Sequence, residues 1–346
     1  MPAVAIIGAG LIGRAWAQVF ARAGSQATSA AAAPSATAVG AAPWAVRVWD
    51  PSAAVRDDAR ALIASGLDDL ASHGLVADAA AAQARVVVCA SLAEAVDGVD
   101  FVQESGPEQV EIKRQTFAEL DNVAPPRAIL ASSTSAIVAS RFTEGLAGRH
   151  RCLVGHPVNP PHLAPVVEVC GAPWTDPAVA RRARDIYRSV GQVPIDVRRE
   201  VDGFILNRLQ GALLSEAFRL VGEGYCSPQD LDRTLSEGLG RRWAFMGPFA
   251  TIELNAPGGI ADYCERYTGF YRRLQSEPAP ATVWDRDNWS AIVAEWDGSE
   301  TRARVVGTAG LADAIADKTR WRDARLAALA AHLAGEADWP VDPSAT

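Results

Sequence analysis

Short apolar runs alternate along the chain with longer stretches in which apolar residues recur every three or four positions, which predicts strands interleaved with helices. Val4–Ile7 is the first run and meets Gly8 directly, after which Leu11, Ile12, Ala15, Trp16, Val19 and Phe20 fall on one helical face. Ala45–Trp49 alternates as a second strand that ends at Asp50. Further strands are predicted at Arg85–Cys89, Phe101–Gln103, Ala128–Ala131, Arg151–Gly155, Val166–Val169 and Val193–Val197, with helices such as Pro107–Leu120 between them. Such alternation implies an α/β domain built on a mostly parallel sheet with helices on both faces. From Gly203 the pattern changes to long amphipathic helices. One covers Phe204–Val221, and another opens at Ser227-Pro228-Gln229-Asp230, where Ser caps, Pro takes the first helical position and Asp sits in the first turn. The predicted organisation is an α/β domain over 1–199, an all-α domain over 200–334 and a frayed tail over 335–346.

Between the first two strands, Ser25–Pro43 is a low-complexity stretch of small residues where a connection of about 2–6 residues is usual. It is expected to be a surface insertion; a lid or partner-binding segment is the functional alternative. The chain has 346 residues, enough for two cores, with 49% hydrophobic and 21% charged residues, so neither disorder nor a fibrous repeat fits. A net charge of −8 and the lack of any Lys/Arg run argue against a nucleic-acid partner. The five cysteines (Cys89, Cys152, Cys170, Cys226, Cys264) have no C-x-x-C spacing, so neither a disulfide framework nor a metal site is expected. Without a basic segment before the first apolar run, or any stretch of eighteen uninterrupted apolar residues, neither secretion nor membrane insertion is expected, and the cytoplasm is the default.

The strand-turn-helix context gives meaning to Gly8-Ala9-Gly10-Leu11-Ile12-Gly13, a G-x-G-x-x-G dinucleotide turn of Rossmann type. The first glycine permits the turn, the second lets a pyrophosphate approach, and the third lets helix and strand pack; the helix N–H groups then face the phosphates. Asp50 would accept hydrogen bonds from the adenosine ribose and repel a 2′-phosphate, favouring NAD over NADP. It lies 37 residues after Gly13, but 18 once the nineteen residues Ser25–Pro43 are set aside, close to the usual offset of about twenty.

Several segments in order resemble the L-3-hydroxyacyl-CoA dehydrogenase superfamily, and within it the lambda-crystallin or L-gulonate 3-dehydrogenase branch: GAGLIGRAWA, QESGPEQVEIKRQTFAELD, SSTSAI, GHPVNPPHLAPVVEV, DGFILNRLQGALLSEAFRLV and GLGRRWAFMGPFATIELNAPGG. The resemblance implies a His–Glu pair at His156 and Glu168. An imidazole that titrates near neutrality can remove a hydroxyl proton as hydride leaves the same carbon, while the carboxylate fixes its tautomer. It further implies that Ser135 and Asn207 bond the reacting oxygen, in a cleft between the two domains, and that Glu108 and Lys113 contact the cofactor near the nicotinamide ribose. The alternative readings are a core histidine for His156, a helix or turn cap for Ser135, and an exposed helix ion pair for Glu108 with Lys113. His162 is the runner-up base.

The segment Pro51–Arg85, which in the acyl-CoA branch helps to hold a polyanionic coenzyme, carries five aspartates against three arginines. Pro157 and Val158 replace the aromatic residues of the acyl-CoA pattern, so a small hydroxy acid such as L-gulonate is the expected substrate, with Arg241 and Arg242 as candidate partners for its carboxylate. Trp243 and Phe245 keep a carnitine-type activity open, since a quaternary ammonium favours aromatic surroundings. A 3-hydroxyacyl-CoA substrate and a non-catalytic NAD-binding structural role are the remaining alternatives. A homodimer formed through the helical domain is expected.

Overall fold

The computed structural model describes residues 1–25, 42–297 and 308–333; most of the predicted insertion and the predicted tail lie outside them. Eight strands form one sheet: β1 (Ala3–Ile7), β2 (Ala45–Trp49), β3 (Val86–Val88), β4 (Phe101–Glu104), β5 (Ile129–Ser132), β6 (Cys152–Pro157), β7 (Val166–Gly171) and β8 (Val193–Asp196). Their spatial order is β3-β2-β1-β4-β5-β6-β7-β8, and every pair is parallel except the antiparallel β6–β7. The parallel pairs need helical crossovers. These are α1 (Leu11–Arg22), α2 (Ala53–Ser72) with α3 (Ala79–Gln83), α4 (Leu92–Val96), α5 (Val110–Val123), the short α6 (Ser140–Thr143), and α7 (Pro177–Ser189) between β7 and β8. Ser52, Asp78, Ser91 and Asp176 begin α2, α3, α4 and α7 by accepting a main-chain N–H on their side chains.

The strands read as apolar runs because both faces of the sheet are covered, and a buried apolar cluster lies on each face. Helix α1 is deeply seated, with Trp16, Ala17, Val19, Phe20 and Ala21 all inaccessible to solvent. Along the second and third turns of α1, Trp16 and Phe20 form with Phe101 and Tyr187 a chain of aromatic contacts with ring centroids 5.4–6.1 Å apart. Burying each such ring contributes about 1.5–3 kcal/mol, which holds the body of α1 against the sheet.

The rest of the chain is helical: α8 (Leu206–Gly222), α9 (Pro228–Arg233), a π-helical turn (Thr234–Leu239), α10 (Gly240–Trp243), α11 (Pro248–Leu254), α12 (Gly259–Gln275), α13 (Arg286–Asp297) and α14 (Thr308–Leu333). Helix α8 begins two residues later than the periodicity predicts, because Gly203 and Phe204 have φ of +76° and +48°, in the left-handed region that ends or delays a right-handed helix. The chain divides into two compact units. One contains Met1–Arg208 and the end of α14 from Thr319, the other Leu209–Lys318. The first unit thus reaches past residue 199 and takes in Asn207, and it includes a C-terminal stretch whose Ala327 is buried in the sheet cluster beside α1. Among the described residues no helix is long and apolar enough to cross a membrane.

His162, the runner-up base, sits in the β6–β7 loop with its ring largely buried and Nδ1 without a partner. Burial, aided by Arg22 and Arg322 and opposed by Asp323, pushes its pKa from 6.5 down to about 4. The folded state therefore holds it neutral while the unfolded chain protonates it below 6.5. Its contribution is complete above that value and is lost as pH falls towards 4, up to about 3 kcal/mol. Unfolding measured at pH 7 and pH 5 should show this loss in the wild type and a flatter dependence in His162→Leu.

Candidate active site

The glycine turn joins β1 to α1 at the carboxyl end of the sheet, beside the loop that follows β4. Gly8 has φ +97°, and a Cβ there would lie 2.7 Å from the Ser105 carbonyl oxygen; one on Gly13 would lie 1.8 Å from the Gly8 carbonyl oxygen. Side chains at either position would force the helix off the turn. A Cβ on Gly10 would meet nothing within 4 Å, so the approach to the start of α1 is open. The first helical hydrogen bond runs from Arg14 N–H to the Gly10 carbonyl, which leaves the N–H groups of Leu11, Ile12 and Gly13 without helical partners. Asp50 ends β2 and ties this turn to the next: Oδ2 accepts Ala9 N–H and Oδ1 accepts Ser52 N–H, both at 2.9 Å. An open glycine turn, free helix N–H groups and a carboxylate at the end of the second strand together fit a dinucleotide.

At the far side of the sheet the antiparallel β6–β7 pair places His156 directly opposite Glu168. Cross-strand neighbours have Cβ atoms about 5 Å apart, so a spacing of twelve residues in sequence becomes a side-chain contact. Nδ1 of His156 lies 2.8 Å from Glu168 Oε2, and both side chains are at least 94% buried. The other oxygen, Oε1, accepts Ile205 N–H at 2.8 Å and Leu206 N–H at 3.0 Å, where α8 begins. Burial alone would raise the Glu168 pKa. Hydrogen bonds from His156 and from the Leu206 and Ile205 N–H groups outweigh it and hold the carboxyl below its ordinary value. Phe204 supplies the geometry: its left-handed backbone turns those N–H groups onto Glu168, and its buried ring lies 5.5 Å from the imidazole, centroid to centroid.

Between these regions lies the loop after β5. Glu108 Oε1 accepts the Thr134 hydroxyl, Ser135 N–H at 3.1 Å and Ala136 N–H at 3.0 Å, while Asn207 Nδ2 donates to the Ser135 carbonyl at 2.7 Å. Ser135 and Asn207 are therefore joined, and the hydroxyl of Ser135 is left exposed. Lys113 is not an exposed helix partner: it is buried, 2.9 Å from Glu104 Oε2 and 4.0 Å from Glu108 Oε2. Ser132, paired in register with Glu104, donates to the same carboxylate at 2.5 Å.

Arg241 bonds Glu237 one turn back on its own helical run, and Arg242 is exposed; both belong to the second unit. All five cysteines are free, and among the described residues no cluster of His, Cys, Asp and Glu could hold a metal. Sequence reasoning missed Glu104, Phe204 and Gly155. A Cβ on Gly155 would lie 1.9 Å from the Tyr187 hydroxyl, so the glycine before His156 makes room for that ring. Only the acidic residue beside Lys113 and the D-G-F step before a helix were visible beforehand, and neither carries its own explanation.

The fold and the glycine turn define a dinucleotide-binding protein of Rossmann type. The description "3-hydroxyacyl-CoA dehydrogenase, NAD binding domain" matches residues 3–201, and the C-terminal domain of the same family matches 203–286. The chain belongs to the 3-hydroxyacyl-CoA dehydrogenase family. It is 40% identical over 277 residues to the lambda-crystallin of Oryctolagus cuniculus, covering 79% of this chain and 81% of that protein. It is also 37% identical over 324 residues to an L-carnitine dehydrogenase of Streptomyces griseus, covering 92% and 87%. Among solved structures, a 5-formyl-3-hydroxy-2-methylpyridine 4-carboxylic acid 5-dehydrogenase described as an NAD+-dependent dismutase superposes with a TM-score of 0.67 at 27% identity, covering 84% of this chain and 87% of that one.

The strained Phe204 generates a stability prediction. Removing its buried ring costs about 3–5 kcal/mol, but glycine at this φ escapes a left-handed penalty of about 1–2 kcal/mol that alanine retains. Phe204→Gly should therefore be more stable than Phe204→Ala, reversing the usual order, with both below wild type in denaturant unfolding; the ordinary order would refute the strain.

Proposed function

We propose that the chain oxidises the 3-hydroxyl of a small hydroxy acid, L-gulonate or a close relative, to the 3-keto acid, with His156 as general base. The single observation behind this is the pairing of His156 Nδ1 with Glu168 Oε2 at 2.8 Å while Oε1 is held by two N–H groups. A carboxylate bound on both oxygens orients the ring with Nδ1 as donor, which leaves Nε2 as the acceptor for a substrate proton. Glu168 stays ionised and stabilises the imidazolium that forms. NAD, when bound, supplies the hydride acceptor. We assign the dinucleotide to Gly8, Gly10, Leu11, Ile12, Gly13 and Asp50, with Glu108 and Lys113 beside its nicotinamide half. Ser135 and Asn207, joined through the Ser135 carbonyl, bond the reacting oxygen.

The acidic stretch after β2 supports a small acid over a coenzyme-A ester. Its five aspartates outnumber its three arginines, and two of those, Arg56 and Arg85, already spend N–H groups on the main-chain carbonyls of Asp50, Ala21 and Ala23, which disfavours a polyanionic coenzyme tail. The lambda-crystallin likeness fits the same reading, whereas the L-carnitine dehydrogenase likeness supports carnitine as the second. NADH formation with gulonate, carnitine, 3-hydroxybutyrate and a short hydroxyacyl-CoA separates them, and gulonate should be preferred. His156→Gln should lower kcat by about 10²–10⁴-fold while NADH binding, read by fluorescence, is retained; undiminished turnover would remove His156 from the mechanism.

We also propose a cytoplasmic homodimer, with the helical region 200–334 as its interface. In the second unit Phe249, Leu254 and Phe245 are 61–72% exposed, an apolar display that a lone subunit has no reason to keep. Light scattering should return twice the 36.5 kDa of the chain, and Phe249→Glu should shift the mass towards one subunit.

A further inference from the structure

Beneath the glycine turn runs a line of buried polar groups that the reaction scheme leaves unused. The Tyr187 hydroxyl donates to Gln103 Oε1 at 2.6 Å, which fixes the amide so that its Nε2 faces Ser133 Oγ at 2.7 Å and the Gly155 carbonyl at 3.4 Å. Flipping the amide would set two carbonyl oxygens against each other. Ser133 Oγ also accepts the Trp16 indole N–H at 3.1 Å. With both lone pairs taken by N–H donors, that hydroxyl must spend its one proton elsewhere, and its remaining neighbour is Ser105 Oγ at 2.9 Å. The direction of the Ser133–Ser105 bond is thereby settled: Ser133 donates and Ser105 accepts.

Ser105 is left with a proton of its own and no acceptor for it among the hydrogen bonds of the described residues. It is half-buried, follows β4, and lies against Gly8, where β1 and β4 diverge in chain order. Ligands of open α/β sheets bind at such a switch point, and the strands on the β4 side face the half of a dinucleotide that lies beyond the pyrophosphate. A hydroxyl already polarised by the bond it accepts is a stronger donor than an isolated one.

We propose that Ser105 is a cofactor-binding residue whose hydroxyl, aimed by the relay Tyr187–Gln103–Ser133, donates to an oxygen in the nicotinamide half of NAD. This rests on the assignment of the dinucleotide to the glycine turn, and ADP, which lacks that half, tells the two apart. One net hydrogen bond corresponds to about a fivefold change in affinity. Ser105→Ala should raise the Kd of NADH, read by protein-to-cofactor fluorescence transfer or calorimetry, about fivefold, with the Kd of ADP and the Tm of the free protein unchanged; Ser105→Thr should restore NADH affinity. Ser133→Ala, which strands two buried N–H donors, should instead lower Tm. An unchanged NADH Kd in Ser105→Ala, or an equal weakening of ADP, overturns the role of Ser105. Failure of the wild type to bind ADP at all would overturn the cofactor assignment beneath it.

Discussion

Glu168 meets two demands with one carboxylate. Oε2 takes His156, and Oε1 takes the first N–H groups of α8, which would otherwise lack helical partners. The same residue therefore sets the imidazole and marks where the helical region begins, so the proposed base and the chain's turn out of the sheet share one anchor. A carboxylate this deeply buried is tolerable only when its charge is fully met, and three donors meet it. The positive end of the α8 dipole adds to them. The cost appears nearby, as a phenylalanine held in the left-handed region.

A second buried carboxylate repeats the arrangement on the cofactor side. Glu104 is bonded by Lys113, Ser132 and the Gly106 N–H, and Lys113 also approaches Glu108, which in turn holds the loop containing Ser135. Through this sequence of contacts the loop after β5 is fixed to α5 and β4 and does not depend on its own short turns. Removing one member of such a buried pair leaves an uncompensated charge, which explains how one of only two lysines in the chain comes to be enclosed.

Most of the architecture was legible because the physics behind it is periodic. Eight apolar runs gave eight strands, and the change to helical spacing after Gly203 gave the helical region. The glycine motif was legible for a similar reason: its spacing is imposed by one turn, and Gly8 and Gly13 turn out to abut main-chain atoms that no side chain could displace. The start of α8 was misjudged because nothing in hydrophobic periodicity reports a positive φ at Phe204. The burial of Lys113 was missed because Glu108 lies five residues before it at the helix start, whereas the nearer partner in space, Glu104, lies at the end of β4. The return of α14 to the sheet depends on contacts between residues hundreds of positions apart, which no local pattern records.

The contrast between His156 and His162 shows why residue type alone identifies neither. Both are largely buried, and they lie six residues apart. His156 faces a carboxylate across an antiparallel pair, with Nδ1 2.8 Å from Glu168 Oε2. His162 faces two arginines against one aspartate, so a proton gained there would be opposed by burial and by net positive charge. Of two imidazoles in one segment, only the first faces a carboxylate, and it is the one proposed as the base. That difference was set when β6 and β7 paired in the register that puts His156 against Glu168, because a slip of one residue would turn each side chain to the opposite face of the sheet.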